Sequence, residues 1–334
     1  MGISSLAKEN RPSLMAKGVS LEEVLPFLPP NLRKMIATLA PTIGVSLEEL
    51  RLRLGAPVAL RFAYGEAFLG KDGRLTNYVA DGYLFSPQEM EQAVLLLSNS
   101  SFYALEEELR RGYITLPGGH RAGLTGRAVL EKGYLRTLKN ISGINIRIAR
   151  YIPGAADGIL PYLFSPTSQK LLDTLVISPP RAGKTTVLRD LARQLSEGMG
   201  ACRRSYNVSI VDERSEIAAV VNGMPQIPVG CRSDILDACP KAEGMMMLIR
   251  SMSPEIIICD EIGREEDVLA IHEAINAGIV VIASAHGEDC EDALARPFLG
   301  KLIQDKYFKR LVILSRLQGP GTVKAILDSE MQEL

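Results

Sequence analysis

Apolar and polar positions along the chain change their pattern near residue 170. Before it, apolar residues come in short groups of mixed period. Leu21–Leu28 and Leu32–Leu39 fit two short helices broken at Pro29-Pro30. Over Glu48–Leu54 leucines alternate with charged residues, the mark of a half-exposed strand. Val58–Phe62 and Ala67–Leu69 add short strands, with Gly65 and Asp72-Gly73 as turn signals. Ser86-Pro87-Gln88-Glu89 starts a helix, with a capping serine and a proline at the first helical position, and it runs to about Leu97. Phe102–Arg111 fits a further helical piece with Leu105 and Leu109 on one face. From Gly112 strands return: Tyr113–Leu116 and His120–Leu124 on either side of Gly118-Gly119, then Ile141–Ile148.

After Leu171 the pattern becomes strand–helix alternation. Thr174–Ser178, Val208–Asp212, Ile256–Asp260, Val280–Ser284 and Arg310–Leu314 are short, continuous apolar runs, as expected for parallel strands covered on both faces. Helices fit between them at Thr185–Glu197, Lys241–Met252, Glu265–Ala277 and Glu291–Ala295, and Val323–Leu327 is a last strand. This is an α/β nucleotide-binding layout. Four segments follow: a flexible polar tail over 1–20, an α+β domain over 21–150, a Gly- and Pro-rich linker over 151–170, and the α/β domain over 171–334.

Composition narrows the class. The 334 residues are 46% hydrophobic and 23% charged, ordinary for a folded protein of two domains. The formal net charge of -1 gives no global basic excess for nucleic acid, which leaves a local patch open, and the absence of tryptophan with 5% aromatics shows no stacking platform. Five cysteines without a C-x-x-C speak against a disulfide framework or zinc knuckle and fit a reducing compartment. No signal peptide or myristoylation pattern is visible at the N-terminus. The most apolar stretch, Ala277–Ala285, is about half the length that spans a bilayer. Work at a membrane is therefore expected to pass through a partner.

The chemistry gathers at the ends of the apolar runs. Thr174–Leu188 reads TLVISPPRAGKTTVL. A strand, a tight turn over Ser178, Pro179, Pro180, Arg181, Ala182 and Gly183, then Lys184, Thr185 and Thr186 opening a helix, is the context of a phosphate-binding loop. Backbone N–H groups of such a turn favour an anion, here the phosphates of ATP. Lys184 is placed to reach the β- and γ-phosphates, and the Thr185 hydroxyl to ligate Mg²⁺. Ser178 stands where the pattern G-x-x-x-x-G-K-S/T has its first glycine. Ile256–Glu261 delivers two acids to a strand end. If that strand neighbours the first, Asp260 holds Mg²⁺ and Glu261 polarises the attacking water. Val211-Asp212-Glu213-Arg214-Ser215-Glu216 does the same again. Glu213 is a candidate for orienting water or metal, and Arg214 or Glu216 for holding a partner element, against a plain charged turn. His286 ends the run Ile282–Ala285 and is either structural or a sensor of the γ-phosphate. Arg121, Arg127, Arg147 and Arg150 recur on the first domain's strands, either as a solvated face or facing a phosphate or a neighbouring subunit. The methionines of Met245–Met247 fit adaptable core packing or an interaction surface.

Taken in order, SPPRAGKTT, VDERSEI, VGCRSDILDACPKAEGMMMLIRSMSPEIIICDEIG and ASAHG resemble the stage III sporulation protein AA family, a branch of the secretion ATPases. EELRLRLGAP, GGHRAGLTGRA and ISGINIRIAR extend the resemblance over most of the chain from about Leu21. It implies a C-terminal RecA-like P-loop ATPase domain and a smaller α+β N-terminal domain. It implies a homo-hexameric ring with ATP at the cleft between domains, next to the adjacent subunit. VDERSE corresponds to the family's acidic box and Ala283–Gly287 to its histidine box, which favours Glu213 and His286. An arginine such as Arg127, Arg147 or Arg150 is implied at the phosphates. The implied setting is the cytoplasmic face of the mother cell–forespore channel, bound to its membrane subunits, as a hydrolysing motor or as a weakly hydrolysing, nucleotide-gated scaffold. A nucleic-acid-dependent ATPase is the further alternative, and no direct nucleic acid is expected.

Overall fold

A computed structural model describes residues 21–44, 46–62, 65–98, 112–317, 319 and 321–334. The helix expected over Phe102–Arg111 and the tail before residue 21 lie outside the described residues. The chain divides into two compact units, one through Arg150 and one from Tyr151.

In the first unit Leu21–Glu23 and Leu25–Phe27 are single 3-10 turns where a helix was expected. The helix that follows, α1 (Pro30–Ile43), starts earlier than its leucine pattern, because a proline in the first turn gives up no intrahelical bond. Strands β1 (Leu47–Arg53), β2 (Ala59–Phe62), β3 (Gly65–Leu69) and β4 (Leu75–Thr76) come next, then α2 (Pro87–Leu97). The start of α2 is fixed by a capping box: Ser86 Oγ accepts from the Glu89 N–H and Glu89 Oε2 accepts from the Ser86 N–H. Strands β5 (Tyr113–Thr115), β6 (Arg121–Glu131) and β7 (Tyr134–Arg147) complete an antiparallel sheet of order β4-β3-β2-β1-β7-β6-β5. Leu32 and Ile36 of α1 and Met90 and Ala93 of α2 close its core with Leu50, Leu52, Leu60 and Phe85. β7 starts well before the alternating stretch that predicts it. Its first half has no buried residue, and its two half-buried ones, Thr137 and Leu138, are adjacent, so burial imposes no alternation there.

The second unit is built on a sheet of order β12-β9-β13-β14-β8-β15-β16. In chain order the elements are β8 (Thr174–Ser178), α3 (Lys184–Glu197), β9 (Val208–Asp212), the small hairpin β10 (Val220–Val221) and β11 (Met224–Pro225), β12 (Ser233–Asp237) and α4 (Lys241–Ser251). They continue with β13 (Ile256–Cys259), α5 (Glu265–Asn276), β14 (Val280–His286), α6 (Cys290–Leu294), α7 (Pro297–Gln304), β15 (Arg310–Ser315) and β16 (Thr322–Asp328). All pairings of the main sheet are parallel except that of β16 with β15. Every residue of β8, β9 and β13 is buried. Val176, Ile210, Ile258 and Ile282 pack under Val187, Leu188 and Leu191 of α3, while Leu175, Ile257 and Val281 face Met245 and Leu248 of α4 and Ile271 of α5. Each such side chain contributes about 1.5–3 kcal/mol by leaving water. Met245 thus serves core packing, whereas Met247 is exposed.

Two expectations change. The stretch 151–170, expected as a linker, sends Ala156, Ile159, Leu160 and Leu163 into the second unit's core, because apolar residues stand between its glycines and prolines. And β8 and β13 are not neighbours: β14 lies between them, pairing Ile258 with Ile282 on one side and Ser178 with His286 on the other. The edge strand β12 and the helix α7 were not foreseen. β12 is half-buried throughout and carries two aspartates among its five residues, which hides its period.

Candidate functional site

The turn after β8 takes its shape from two residues at positive φ, Arg181 at 61° and Gly183 at 94°. Glycine meets the second without strain. Ser178 is absent from the positive-φ residues and ends β8, so no conformational demand for glycine exists there. Its buried hydroxyl donates to the Pro179 carbonyl at 3.0 Å. Gly183 is the N-cap of α3 and supplies no side-chain acceptor, so the first N–H groups of the helix are left for an anion. The Ala182 carbonyl is bound elsewhere, by the Gly321 N–H at 2.7 Å.

The three strand ends bring their polar residues to this turn. The Lys184 ammonium lies 3.3 Å from Glu261 Oε1. The Thr185 hydroxyl donates to Asp260 Oδ2 at 3.1 Å, across the width of β14. The intervening strand supplies the bridge: Ser284 Oγ donates to Asp260 Oδ1 and accepts from the Glu261 N–H. Burial pushes the Asp260 carboxyl above its ordinary value against the Ser284 hydrogen bond, and the charges of Glu216 and Glu261 add to the rise. A buried carboxylate and a hydroxyl side by side are hard oxygen donors of the kind Mg²⁺ prefers, so the donor set fits that ion. Among the described residues no group of three or more His, Cys, Asp or Glu could hold a metal by itself.

Glu261 sits at φ 49°, a left-handed conformation that is unusual outside glycine. Its second oxygen pairs with Arg214 at 2.7 Å. Burial pushes this carboxyl up, but the Lys184 and Arg214 charges outweigh it and hold the group below its ordinary value.

The loop after β9 is organised by Asp212, which is buried. Its carboxylate accepts the N–H groups of Glu216, Ile217 and Ala218 at 2.6, 2.9 and 2.9 Å. This turns Glu216 toward the cleft, whereas Glu213 pairs with Lys241 of α4. The cleft, of about 750 Å³, is walled by the turn and the start of α3, by Glu216, by Glu261 with Ile262 and Gly263, and by His286 and Arg296. Ser178, Pro179, Ala182, Glu213 and Asp260 are not among its lining residues. Glu216 could have been found from the acidic run that holds it. Arg296 could not: it stands before Pro297 at the α6–α7 corner, 3.4 Å from Asp292, with no motif around it. Arg127, Arg147 and Arg150 belong to the first unit. Arg127 is exposed on β6, Arg147 lies 3.7 Å from Glu49, and Arg150 donates to the Leu47 carbonyl at 3.2 Å.

A profile of the family described as "Sporulation stage III, protein AA" matches residues 20–334. Stage III sporulation protein AA of Bacillus subtilis (strain 168) is 44% identical over 310 residues, which span 93% of this chain and 96% of that one. Among solved structures, the ATPase DotB of Yersinia pseudotuberculosis superposes with a TM-score of 0.56 at 14% identity, over 90% of this chain and 80% of that one. The pilus retraction motor PilT with bound ADP gives 0.51 at 16% identity, over 88% and 77%. At such identities the structural likeness bears on the fold, which is the α/β, RecA-like fold of the secretion ATPases. No helix among the described residues is long and apolar enough to cross a membrane.

Proposed function

Since the chain belongs to the sporulation stage III protein AA family, we propose that it is an ATP-hydrolysing motor of the secretion type that energises or assembles the mother cell–forespore channel during sporulation. The observation that carries this reading is the meeting of Lys184, Thr185, Asp260 and Glu261 at one uncapped helix start. In it, the turn over 178–183 and the first N–H groups of α3 bind the phosphates of ATP. Lys184 leaves Glu261 for the phosphate oxygens, and Glu261, freed on that side, accepts a proton from the attacking water. Thr185 and Asp260, the latter aimed by Ser284, would hold Mg²⁺, which when bound supplies positive charge to the phosphates. Glu216 and His286 add polar contacts around the terminal phosphate, with Glu213 acting through Lys241 one layer out.

The same reading has the chain work as a homo-hexamer docked on membrane subunits of the channel. An arginine of one copy, Arg127, Arg147 or Arg150, would add charge at the phosphates of the next. Turnover of ATP by the assembled protein tests it. Lys184→Ala is expected to lower phosphate release by at least about hundredfold. Equal release by wild type and Lys184→Ala would leave no motor.

A second reading, a weakly hydrolysing nucleotide-gated ring at the base of the channel, is favoured by one observation. Both oxygens of Glu261 are engaged by cations, which weakens it as a base. ATP-dependent assembly with no turnover above Lys184→Ala would select this reading.

A further inference from the structure

The ribbon made by β6 and β7 outruns the sheet to which it belongs. β1 pairs with β7 over Gly143–Arg147, whereas β6 and β7 continue together as far as Glu131 and Tyr134. Lys132 and Gly133, at φ 51° and 84°, close the end as a two-residue turn. Two strands with no third beside them are marginal in water. The register places Ala128 opposite Leu138 and, past a bulge between Val129 and Leu130, Leu130 opposite Leu135. Leu138 packs against the first unit's core, but further out Leu130 and Leu135 are 65% and 38% exposed, and Tyr134 is 79% exposed. Charge is one-sided as well. Between Thr125 and Ile141 stand Arg127, Lys132, Arg136 and Lys139 against the single carboxylate of Glu131, which lies 3.6 Å from Arg136, although the whole chain carries a formal net charge of -1.

We propose that this ribbon docks the chain directly on an anionic lipid surface. Entering end-on, the ribbon's tip brings Leu130 and Leu135 of one face and Tyr134 of the other into the boundary between headgroups and hydrocarbon, where an aromatic ring with a polar tip is at home. Lys132, Arg136 and their neighbours meet the anionic headgroups. Apolar burial and cationic attraction are each weak alone and hold together, as for other surface-bound segments. A nucleic acid would satisfy the cations but leave the leucines in water. A protein partner with an apolar face would satisfy the leucines but leave an excess of cations over the one carboxylate of Glu131. The inference is independent of ATP hydrolysis.

The sequence contains no tryptophan, so full-length Tyr134→Trp carries one emission reporter at the ribbon's end. On vesicles of phosphatidylcholine mixed with phosphatidylglycerol its emission is expected to shift to the blue, and on phosphatidylcholine alone to stay unchanged. Added salt should reverse the shift, because it screens the cations. Co-sedimentation of the otherwise wild-type chain with the anionic vesicles should fall at least about tenfold in Lys132→Glu/Arg136→Glu. Leu130→Asn/Leu135→Asn should weaken it comparably, with thermal unfolding unchanged because these side chains are exposed. If a pair lowers the unfolding temperature, the Trp reporter in the intact ribbon decides. The proposal is overturned by no blue shift on anionic vesicles, or by sedimentation that neither pair changes. A shift with duplex RNA but not with vesicles also overturns it. So does a change of mass in solution on substituting the leucines without loss of vesicle binding, which would assign the ribbon to a second copy of the chain.

Discussion

The two sheets of this chain meet water in different ways. β8, β9 and β13 of the second unit are buried along their whole length, under α3 on one face and α4 and α5 on the other. β6 and β7 of the first unit are buried only near the sheet, and their outer halves are exposed. A strand buried on both faces can present chemistry only at its end. Asp260, Glu261 and His286 therefore collect where the strands stop, as ligands do in open α/β sheets. A ribbon left largely uncovered presents side chains all along its length, and its work has to be shared among several of them.

The largest effect expected on the buried side is from Glu261→Gln. Hydrolysis should fall by about 10²–10⁴ while ATP binding persists, since the amide keeps the shape and loses the base. Phosphate release and nucleotide titration read the two separately, and a joint loss of both would give Glu261 a binding role instead. Next comes the contrast itself. Ile258→Ala, at a fully buried position, should cost about 2–5 kcal/mol in chemical denaturation, whereas Leu130→Ala should stay within about 0.5 kcal/mol. Similar costs for the two would dissolve the distinction between covered strand and bare ribbon. Ser86→Ala, which breaks the capping box of α2, should lower stability by about 0.5–2 kcal/mol, and Ser86→Asp should restore most of it.

The smallest effect concerns pH. Lys184 and Arg214 hold the Glu261 carboxyl below its ordinary value against the opposing effect of burial. A base works only when deprotonated, so the acid limb of kcat/KM, which reports the ATP-free protein in which Lys184 still faces Glu261, should lie below the ordinary carboxylate range. Arg214→Ala removes one of the cations, the carboxyl moves up, and the acid limb should shift to higher pH. A rate profile that keeps its acid limb in Arg214→Ala would separate Arg214 from the base.

The second unit was legible because its signals are local. Gly183-Lys184-Thr185 follows an apolar run directly, and acids follow two others. Strand order was not legible. The contact between Thr185 and Asp260 was expected from neighbouring strands, yet it passes over β14, where Ser284 makes the bridge. Nothing local tells which strand inserts where, because the order is settled by crossover connections and packing. Glu216 was undervalued beside Glu213 for a related reason. Which acid of a short run faces a cleft depends on how Asp212 ties down the following N–H groups. In the first unit the capping serine and Pro87 announced α2, whereas the outer half of β7 gave no alternation to read.

One contact joins the phosphate turn to a distant surface. Arg189, in the helix that begins with Lys184, donates to the carbonyls of Glu216 and Ile217 at 2.7 and 2.6 Å. The Ala218 carbonyl in turn accepts the Gln226 N–H just beyond the hairpin of β10 and β11, whose Met224 is 66% exposed. The helix, the acid loop and the hairpin are thus linked like the arms of a crank. The place of Glu216 at the cleft therefore depends on an arginine of the very helix that opens at the phosphate turn.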